Sequence, residues 1–284
     1  GLGDVYKRQV IDLGNYISRK LGAKHIWHLR EFGDLDYNYK TPLGKWFQKF
    51  IYRGQSHFIA ISESIRNHYA RYIPAEQINV IYNGVKPHNI SRDSESDIIR
   101  FCIVGLICEN KRQIDAILAV NELVNNRGIK KIHLSIVGSG SLEYISYLKN
   151  IVTSHNLVNY IEFTGYISDI YDSLSRFDVG IMASPNEAFG RVTVEYMMSH
   201  LAVIATDGGA NCEIIEDGIS GAIYHAGNYK RLANKMYDFI SDQSYMKKIA
   251  DQGHNRAMSL FSSKTNSDKI LELYYAKINT NRNC

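Results

Sequence analysis

Residues 179–201 read VGIMASPNEAFGRVTVEYMMSHL and contain one complete strand–loop–helix unit. The apolar run Val179–Ala183 predicts a buried strand, and the polar loop that follows, which contains a proline, ends that strand. A helix is predicted to begin near Gly190. Its apolar positions recur at helical spacing, at Val194, Met197, Met198 and Leu201.

The same alternation of short β-branched runs and longer helical patterns continues along the chain. The other candidate strands are His25–Leu29, Phe58–Ile61, Ile78–Tyr82, Ile99–Val104, Ile132–Val137, Tyr160–Thr164, Ala202–Ala205 and Ala222–Tyr224. Most are separated by helical patterns, of which Gln113–Asn125 is one. This order predicts parallel sheets joined by right-handed crossovers, and therefore an α/β fold.

The polar stretch Lys86–Asp97 predicts a linker between two lobes. We therefore divide the chain into a first lobe at residues 1–86, a second lobe at 87–262 and a final helical segment at 263–284. The stretch Gly1–Gln9 resembles a translated sequencing adapter and is left out of the fold prediction. We accordingly expect the chain to begin inside a longer protein.

Composition excludes several classes of protein. Hydrophobic residues make up 45% of the 284 residues and charged residues 22%, which is typical of a packed globular protein. No apolar run reaches the roughly 18 residues that a membrane-spanning helix needs. The four cysteines form no CxxC pair, which argues against a zinc site and is typical of a cytoplasmic protein. We expect no nucleic-acid partner.

The loops that follow the strands of the second lobe carry glycines. In doubly wound folds, ligands bind beyond the carboxyl ends of the strands, so these loops are expected on one rim of the sheet. The rim glycines are Gly105, Gly138, Gly165, Gly190 and the pair Gly208-Gly209. Taken alone, each of these loops can also be interpreted as an ordinary turn. Together, however, they predict a nucleotide or phosphate site, because glycine lets backbone approach a ligand closely.

Three charged residues of these loops are candidates for chemistry. Lys111 follows the first rim loop, where a cation near a helix start suits a diphosphate, although a surface lysine is the simpler interpretation. Glu187 precedes the helix predicted at Gly190, and Glu195 lies on it. Arg191 and Glu195 have i, i+4 spacing, so helical spacing alone favours a solvated ion pair.

With these residues identified, the segment from about Ile99 to Gly227 resembles the donor-binding lobe of the family 4 retaining glycosyltransferases, which have the GT-B fold. The spacing Glu187-x7-Glu195 matches the paired-glutamate motif of that family. The companion motifs are Phe101-Cys-Ile-Val-Gly105 with Lys111, Val203-Ile-Ala-Thr206, Gly208-Gly209, Glu213, Asp217-Gly218 and, before the linker, Ile81-Tyr-Asn83-Gly84-Val85. The resemblance implies two Rossmann-like parallel-sheet lobes, of which the first is incomplete.

The resemblance also implies roles for individual residues of the donor site. Glu195 would hold the ribose hydroxyls and Glu187 would contact the sugar ring. Backbone N–H groups of Phe189 and Gly190 would meet the diphosphate, and Lys111 would neutralise the leaving group. The remaining donor-site candidates are Gly105, Gly138 and Tyr166.

In the first lobe, His28 matches a histidine that family members often place near the transferred sugar; a core histidine is nearly as good an interpretation. Arg30, Glu31 and Asn83 are the acceptor-side candidates. The family commonly has an arginine after the first-loop glycine, but this chain has Leu106. One phosphate-binding cation is therefore missing unless Arg112 or Arg191 replaces it. We expect no metal, because Lys111 and the helix dipoles would neutralise the charge, and no cofactor, because the nucleotide sugar is a co-substrate.

The implied activity is a metal-independent hexosyl transfer from a nucleotide-diphosphate sugar to a glycan or lipid-linked acceptor in cell-surface polysaccharide synthesis. Two alternatives stay open. The first is a non-catalytic nucleotide-sugar-binding fragment, given the short first lobe. The second is another GT-B enzyme, such as a nucleotide-sugar epimerase or a phosphorylase.

A basic amphipathic stretch lies in the first lobe. Its members are Lys45, Lys49 and Arg53 beside Trp46, Phe47, Phe50 and Ile51. It predicts either peripheral contact with the inner face of the membrane or, as we favour slightly, a helix whose aromatic face lies in the core of the first lobe.

Overall fold

The computed structural model describes residues 17–18, 20–23, 25–37, 46, 49, 52, 57–88 and 96–279. The chain divides into two units. Residues 1–83 and 266–284 form the first unit, and residues 84–265 form the second.

The first unit contains a three-stranded parallel sheet. Its strands are β1 (Ile26–Leu29), β2 (His57–Ala60) and β3 (Ile78–Val80), in the order β1-β2-β3. Two of its helices are α1 (Asp34–Tyr37) and α2 (Glu63–Tyr69). Helix α2 begins at Ser62, whose side chain accepts a hydrogen bond from the backbone N–H of Ile65 over 3.1 Å, a typical helix cap.

The second unit contains a six-stranded parallel sheet. Its strands are β4 (Ile99–Val104), β5 (Ile132–Val137), β6 (Ile161–Gly165), β7 (Val179–Met182), β8 (Ala202–Thr206) and β9 (Ala222–Tyr224). Every residue of β7 and β8 is buried. These near-continuous apolar runs are typical of central strands that helices cover on both faces.

Helices connect the strands of the second unit, and two more follow its last strand. They are α3 (Gln113–Asn121), α4 (Leu142–Ser154), α5 (Ile170–Leu174), α6 (Arg191–Met198), α7 (Asn211–Ile214), α8 (Tyr229–Ser241) and α9 (Gln243–Phe261). A π-helical turn, Glu122–Asn126, extends α3. The last helix, α10 (Ser263–Asn279), belongs to the first unit from Asn266 onward.

The strand order of the second sheet is β6-β5-β4-β7-β8-β9. From β4 the successive strands β5 and β6 are added on one side. From β7 the strands β8 and β9 are added on the other side, so the strand order reverses between β4 and β7. Because all six strands are parallel, their carboxyl ends lie at one edge of the sheet. A ligand crevice is expected where the order reverses. The loops after β4 and β7 flank that point.

The nine predicted strands are confirmed, with ends that move by one or two residues, and the α/β prediction is confirmed with them. Of the predicted linker, residues 89–95 lie outside the described residues. Of the basic amphipathic stretch, only Trp46 and Lys49 are described. The interpretation that put Trp46 in the core is wrong for this residue, which is 74% exposed. Tyr52 lies in the core instead, with its ring 5.9 Å from that of Phe58.

Candidate active site

The loops after β4 and β5 run side by side beyond the ends of their strands. The backbone N–H of Ile107 donates to the carbonyl of Ser139 over 2.7 Å, which continues the ladder of the sheet. A Cβ at Gly138 would lie 1.8 Å from the carbonyl oxygen of Gly105. Only glycine fits at that approach. The structure therefore brings Gly105 and Gly138 together and gives Gly138 a packing role.

Lys111 lies at the switch between β4 and β7. It ends a short 3-10 turn, Glu109–Lys111, just before α3. Its ammonium group contacts a carboxylate oxygen of Glu187, which comes from the loop after β7. The side chains of Lys111 and Glu187 are 35% and 13% exposed, so the pair is partly shielded from solvent. Two predicted site residues 76 positions apart are thus in contact.

The loop that carries Glu187 is fixed from behind by the loop after β8. The carbonyl of Glu187 accepts a hydrogen bond from the N–H of Ala210 over 2.8 Å. A Cβ at Gly209 would lie 2.2 Å from that carbonyl oxygen, and Gly209 also has a positive φ of 59°. A Cβ at Gly208 would lie 1.8 Å from the carbonyl oxygen of Pro185. The two glycines therefore allow a backbone contact that sets the position of Glu187.

Helix α6 begins directly after this loop. Gly190 stands at its N-cap with φ 78° and ψ 51°, a left-handed conformation that favours glycine. The side chain of Phe189 is buried and packs edge-on against Phe261, with ring centroids 5.8 Å apart. Phe189 therefore anchors the loop, and only its backbone remains a candidate for the predicted diphosphate contact. The N-terminus of this eight-residue helix carries the partial positive charge that suits an anion.

Glu195 lies on α6 and is only 7% exposed. Its Oε1 atom accepts hydrogen bonds from Arg191 Nε over 2.8 Å and from the Tyr171 hydroxyl over 3.0 Å. The predicted pairing with Arg191 is confirmed, whereas the expectation of a solvated glutamate is wrong, because α5 covers it. Burial raises the pKa of Tyr171, and the nearby Glu195 carboxylate raises that pKa further.

Arg112 and Arg191, the two candidates to replace the cation missing at Leu106, are both paired with carboxylates. Arg112 binds Asp115 through Nε over 2.7 Å and through a second nitrogen over 2.8 Å. This bidentate contact raises the pKa of Arg112. Arg191 is bound to Glu195, and Leu106 itself is exposed. Among these residues, Lys111 is the cation that faces the loop after β7.

The structure also describes Tyr166 and the predicted residues of the first unit, each within its own unit. Tyr166 follows β6 and is 75% exposed. In the first unit, Nε2 of His28 is 3.4 Å from the Tyr274 hydroxyl, and burial, with a contribution from Arg30, lowers the pKa of His28. Arg30 is exposed, and the backbone carbonyl of Glu31 accepts from the Tyr69 hydroxyl over 3.1 Å.

Asn83 is half-buried and is the last residue of the first unit before the second begins. The structure describes the acceptor-side candidates within the first unit. Their predicted roles stay predictions.

Two residues beside Glu195 were not predicted. Tyr171 lies 24 positions earlier in the chain, in a different rim connection, and no spacing rule relates the two. The ring of His88 stacks on that of Tyr171, with centroids 3.5 Å apart and planes at 17°. The one available signal was position, since Tyr171 follows the third rim loop by a few residues.

The described part of the chain contains no group of three or more His, Cys, Asp or Glu side chains arranged to hold a metal ion. No helix within it is both long enough and apolar enough to cross a membrane.

Comparison with known proteins identifies the family. The model of the group 1 glycosyl transferases matches residues 89–256, which is more than half of the chain. A second model, Glycosyltransferase Family 4, matches residues 15–89. Together they span residues 15–256.

Individual relatives agree with this assignment. An uncharacterized glycosyltransferase of Methanocaldococcus jannaschii is 26% identical over 261 residues, which is 91% of this chain and 69% of the relative. The lipopolysaccharide core biosynthesis glycosyltransferase LpsE of Rhizobium meliloti is 25% identical over 146 residues, covering 51% of this chain and 42% of that protein.

Solved structures show the same fold. Anabaena HepE, determined in complex with UDP, superposes with a TM-score of 0.83 at 23% identity and covers 93% of this chain and 76% of its own. A sucrose-phosphate synthase of Thermosynechococcus elongatus gives a TM-score of 0.77 at 18% identity, over 93% of this chain and 71% of its own. The chain therefore belongs to the group 1 glycosyl transferases and has the α/β architecture of GT-B enzymes.

Proposed function

We propose that the chain is a retaining, metal-independent hexosyltransferase that moves a sugar from a nucleotide-diphosphate sugar to a glycan or lipid-linked acceptor. The observation that carries the proposal is the contact between Lys111 and Glu187 at the switch between β4 and β7. It places a cation and a carboxylate together, beside the N-terminus of α6, where this sheet topology favours ligand binding.

The chemistry follows from this pairing. Transfer breaks the bond between the anomeric carbon and a phosphate oxygen and leaves a nucleoside diphosphate with added negative charge. Lys111 and the N-terminus of α6 would stabilise that charge, which is the electrostatic term that contributes most to many enzymes. In this proposal they supply the positive charge that a divalent metal supplies elsewhere. The protein would need no other cofactor.

Binding of the donor would rearrange the Lys111–Glu187 pair. Lys111 exchanges its carboxylate partner for the phosphates, and the released Glu187 accepts hydrogen bonds from sugar hydroxyls. Glu195, which lies on α6 after the Glu187 loop, holds the ribose. The acceptor attacks on the face from which the nucleotide leaves, so the anomeric configuration is retained.

UDP-sugars are the first donors to test. Structures of HepE contain UDP, UDP with glucose, and UDP-glucose. The relatives LpsE and CapM are named for lipopolysaccharide core and capsular polysaccharide biosynthesis. These names favour cell-surface glycans as the acceptor class.

A calorimetric panel of UDP, GDP, ADP and their hexose conjugates, run with and without EDTA, tests the proposal. We expect one nucleotide to bind with a stoichiometry of one, unaffected by EDTA, and its sugar to be slowly hydrolysed with retained anomeric configuration by NMR. Absence of binding to every nucleotide would contradict the proposal. Binding without any turnover would favour the nucleotide-sugar-binding fragment.

Roles in the first unit and location are further parts of the proposal. His28 would contact the transferred sugar, with Arg30, Glu31 and Asn83 toward the acceptor. The protein would work in the cytoplasm, with peripheral contact at the inner face of the membrane. Turnover by His28→Ala, measured beside donor affinity, tests the first of these statements: we expect lower turnover with unchanged binding of the nucleoside diphosphate.

A further inference from the structure

Among the described residues, the side-chain contacts of Glu195 involve one of its two carboxylate oxygens. Arg191 and Tyr171 both donate to Oε1, over 2.8 and 3.0 Å. Within the residues that the structure describes, no donor lies within hydrogen-bonding distance of Oε2, and that atom is not among their buried unpaired polar atoms. A carboxylate has about four lone-pair sites, so Oε2 retains its capacity to accept from a ligand.

Tyr171 is the better anchored of the two donors. Its backbone N–H donates to Oδ1 of Asp169 over 3.1 Å at the start of α5, and its ring stacks against His88. Burial and the Glu195 carboxylate raise the pKa of Tyr171, so its hydroxyl remains a donor at neutral pH. Arg191, by contrast, has a side chain that is 72% exposed. An exposed i, i+4 ion pair by itself restrains a carboxylate only weakly.

We infer that Tyr171 is a positioning residue for ribose recognition, an inference that rests on the proposed function. With Arg191 it holds Oε1 of Glu195, so that Oε2 is presented in one orientation to two neighbouring hydroxyls. Tyr171 does not touch the ligand in this account. It acts through Glu195 and so determines how strongly the site prefers a ribonucleotide to one that lacks these hydroxyls.

The pairing of substitution and ligand isolates this role. Tyr171→Phe removes the hydroxyl and keeps the ring that stacks on His88. UDP and 2′,3′-dideoxy-UDP differ only in the two hydroxyls that Glu195 would bind. An effect that passes through Glu195 is therefore present with the first ligand and absent with the second, as in a double-mutant cycle.

The test is calorimetric titration of the 284-residue chain with both nucleotides, or with the GDP or ADP pair if the panel identifies another base. We expect Tyr171→Phe to weaken binding of UDP about three- to tenfold and to leave binding of dideoxy-UDP unchanged. Tyr237→Phe on α8, which removes a hydroxyl elsewhere in the second unit, should change neither affinity. Thermal unfolding of each variant checks that the fold is kept.

Equal weakening of both nucleotides by Tyr171→Phe would overturn the inference, because a purely structural role or a contact with the base gives that result. Unchanged affinity for both nucleotides would overturn it as well. If the unsubstituted chain binds no nucleoside diphosphate, the proposed function fails first, and that result is visible before any variant is compared.

Discussion

The two glutamates of the paired-glutamate motif, Glu187 and Glu195, are eight residues apart in the sequence, yet the structure supports them in different ways. Glu187 lies in a loop and depends on distant parts of the chain, namely Lys111 after β4 and the backbone of Gly209 after β8. Glu195 lies on α6 and is paired with Arg191 one turn earlier on the same helix. Tyr171 is its one distant partner among the residues that the structure describes.

The difference shows that a single sequence motif can serve two independently built parts of a site. The part around Glu187 forms only when three loops at the edge of the sheet are in place. The part around Glu195 is built by α6, which carries Glu195 and Arg191, and by Tyr171 of α5. Substitutions should therefore affect phosphate or sugar contacts when they disturb the loops, and ribose contacts when they disturb α6 or Tyr171.

The largest effect is expected from Lys111→Ala, because it removes the cation that would stabilise the leaving diphosphate. We expect donor hydrolysis to fall about 100-fold or more, a loss typical of removing one electrostatic stabiliser of a transition state. Initial rates with the donor from the panel measure it. Lys230→Ala, an exposed lysine of α8, is the matched control and should retain the full rate. Equal rates of donor hydrolysis for both variants would show that Lys111 does not stabilise the leaving diphosphate.

A somewhat smaller effect is expected from Glu195→Ala. The loss of a nearly buried acceptor for the ribose should weaken nucleoside diphosphate binding about 30-fold, about 2 kcal/mol. Ser199→Ala is the control, since Ser199 lies one turn further on and its hydroxyl donates to the backbone carbonyl of Glu195 over 2.7 Å. Calorimetric titration of both variants with the nucleoside diphosphate measures the two losses of affinity. Comparable losses would mean that α6 as a whole, and not the carboxylate, matters for binding.

Gly209→Ala tests whether the loop after β8 positions Glu187. The new Cβ would collide with the Glu187 carbonyl, so the Glu187 loop must shift, and we expect hydrolysis to fall about tenfold. Gly218→Ala has the same left-handed backbone, at φ 75°, but open space around its Cβ. Both variants should lose about 1 kcal/mol of stability in thermal unfolding from backbone strain, and Gly209→Ala should lose more because of the collision. The account requires that only Gly209→Ala lose activity as well.

The smallest predicted effect is a gain. In Glu187→Gln the amide no longer holds the Lys111 ammonium group by charge, so Lys111 is released for the phosphates. UDP, which lacks the transferred hexose, should then bind about threefold more tightly, while hydrolysis of the UDP-sugar falls. Titration with UDP measures the first change, and rates measure the second. Weaker UDP binding would show that Glu187 supports the phosphate site, contrary to the assignment.

The sequence predicted the strands because their apolar runs are long and bounded by glycines and polar residues. It predicted the Arg191–Glu195 pair because i, i+4 spacing is a local rule. The burial of Glu195 and the role of Tyr171 could not be predicted from spacing, since they depend on how α5 packs beside α6. The contact between Lys111 and Glu187 depends on the strand order, which places β4 beside β7.

The central claim is that Lys111 faces the phosphates at the switch between β4 and β7. The most direct test is a calorimetric cycle in which UDP and UMP are titrated into the unsubstituted chain and into Lys111→Ala. We predict that removing the β-phosphate weakens binding to the unsubstituted chain about 100-fold and to Lys111→Ala less than about tenfold. The same factor for both proteins would contradict the claim.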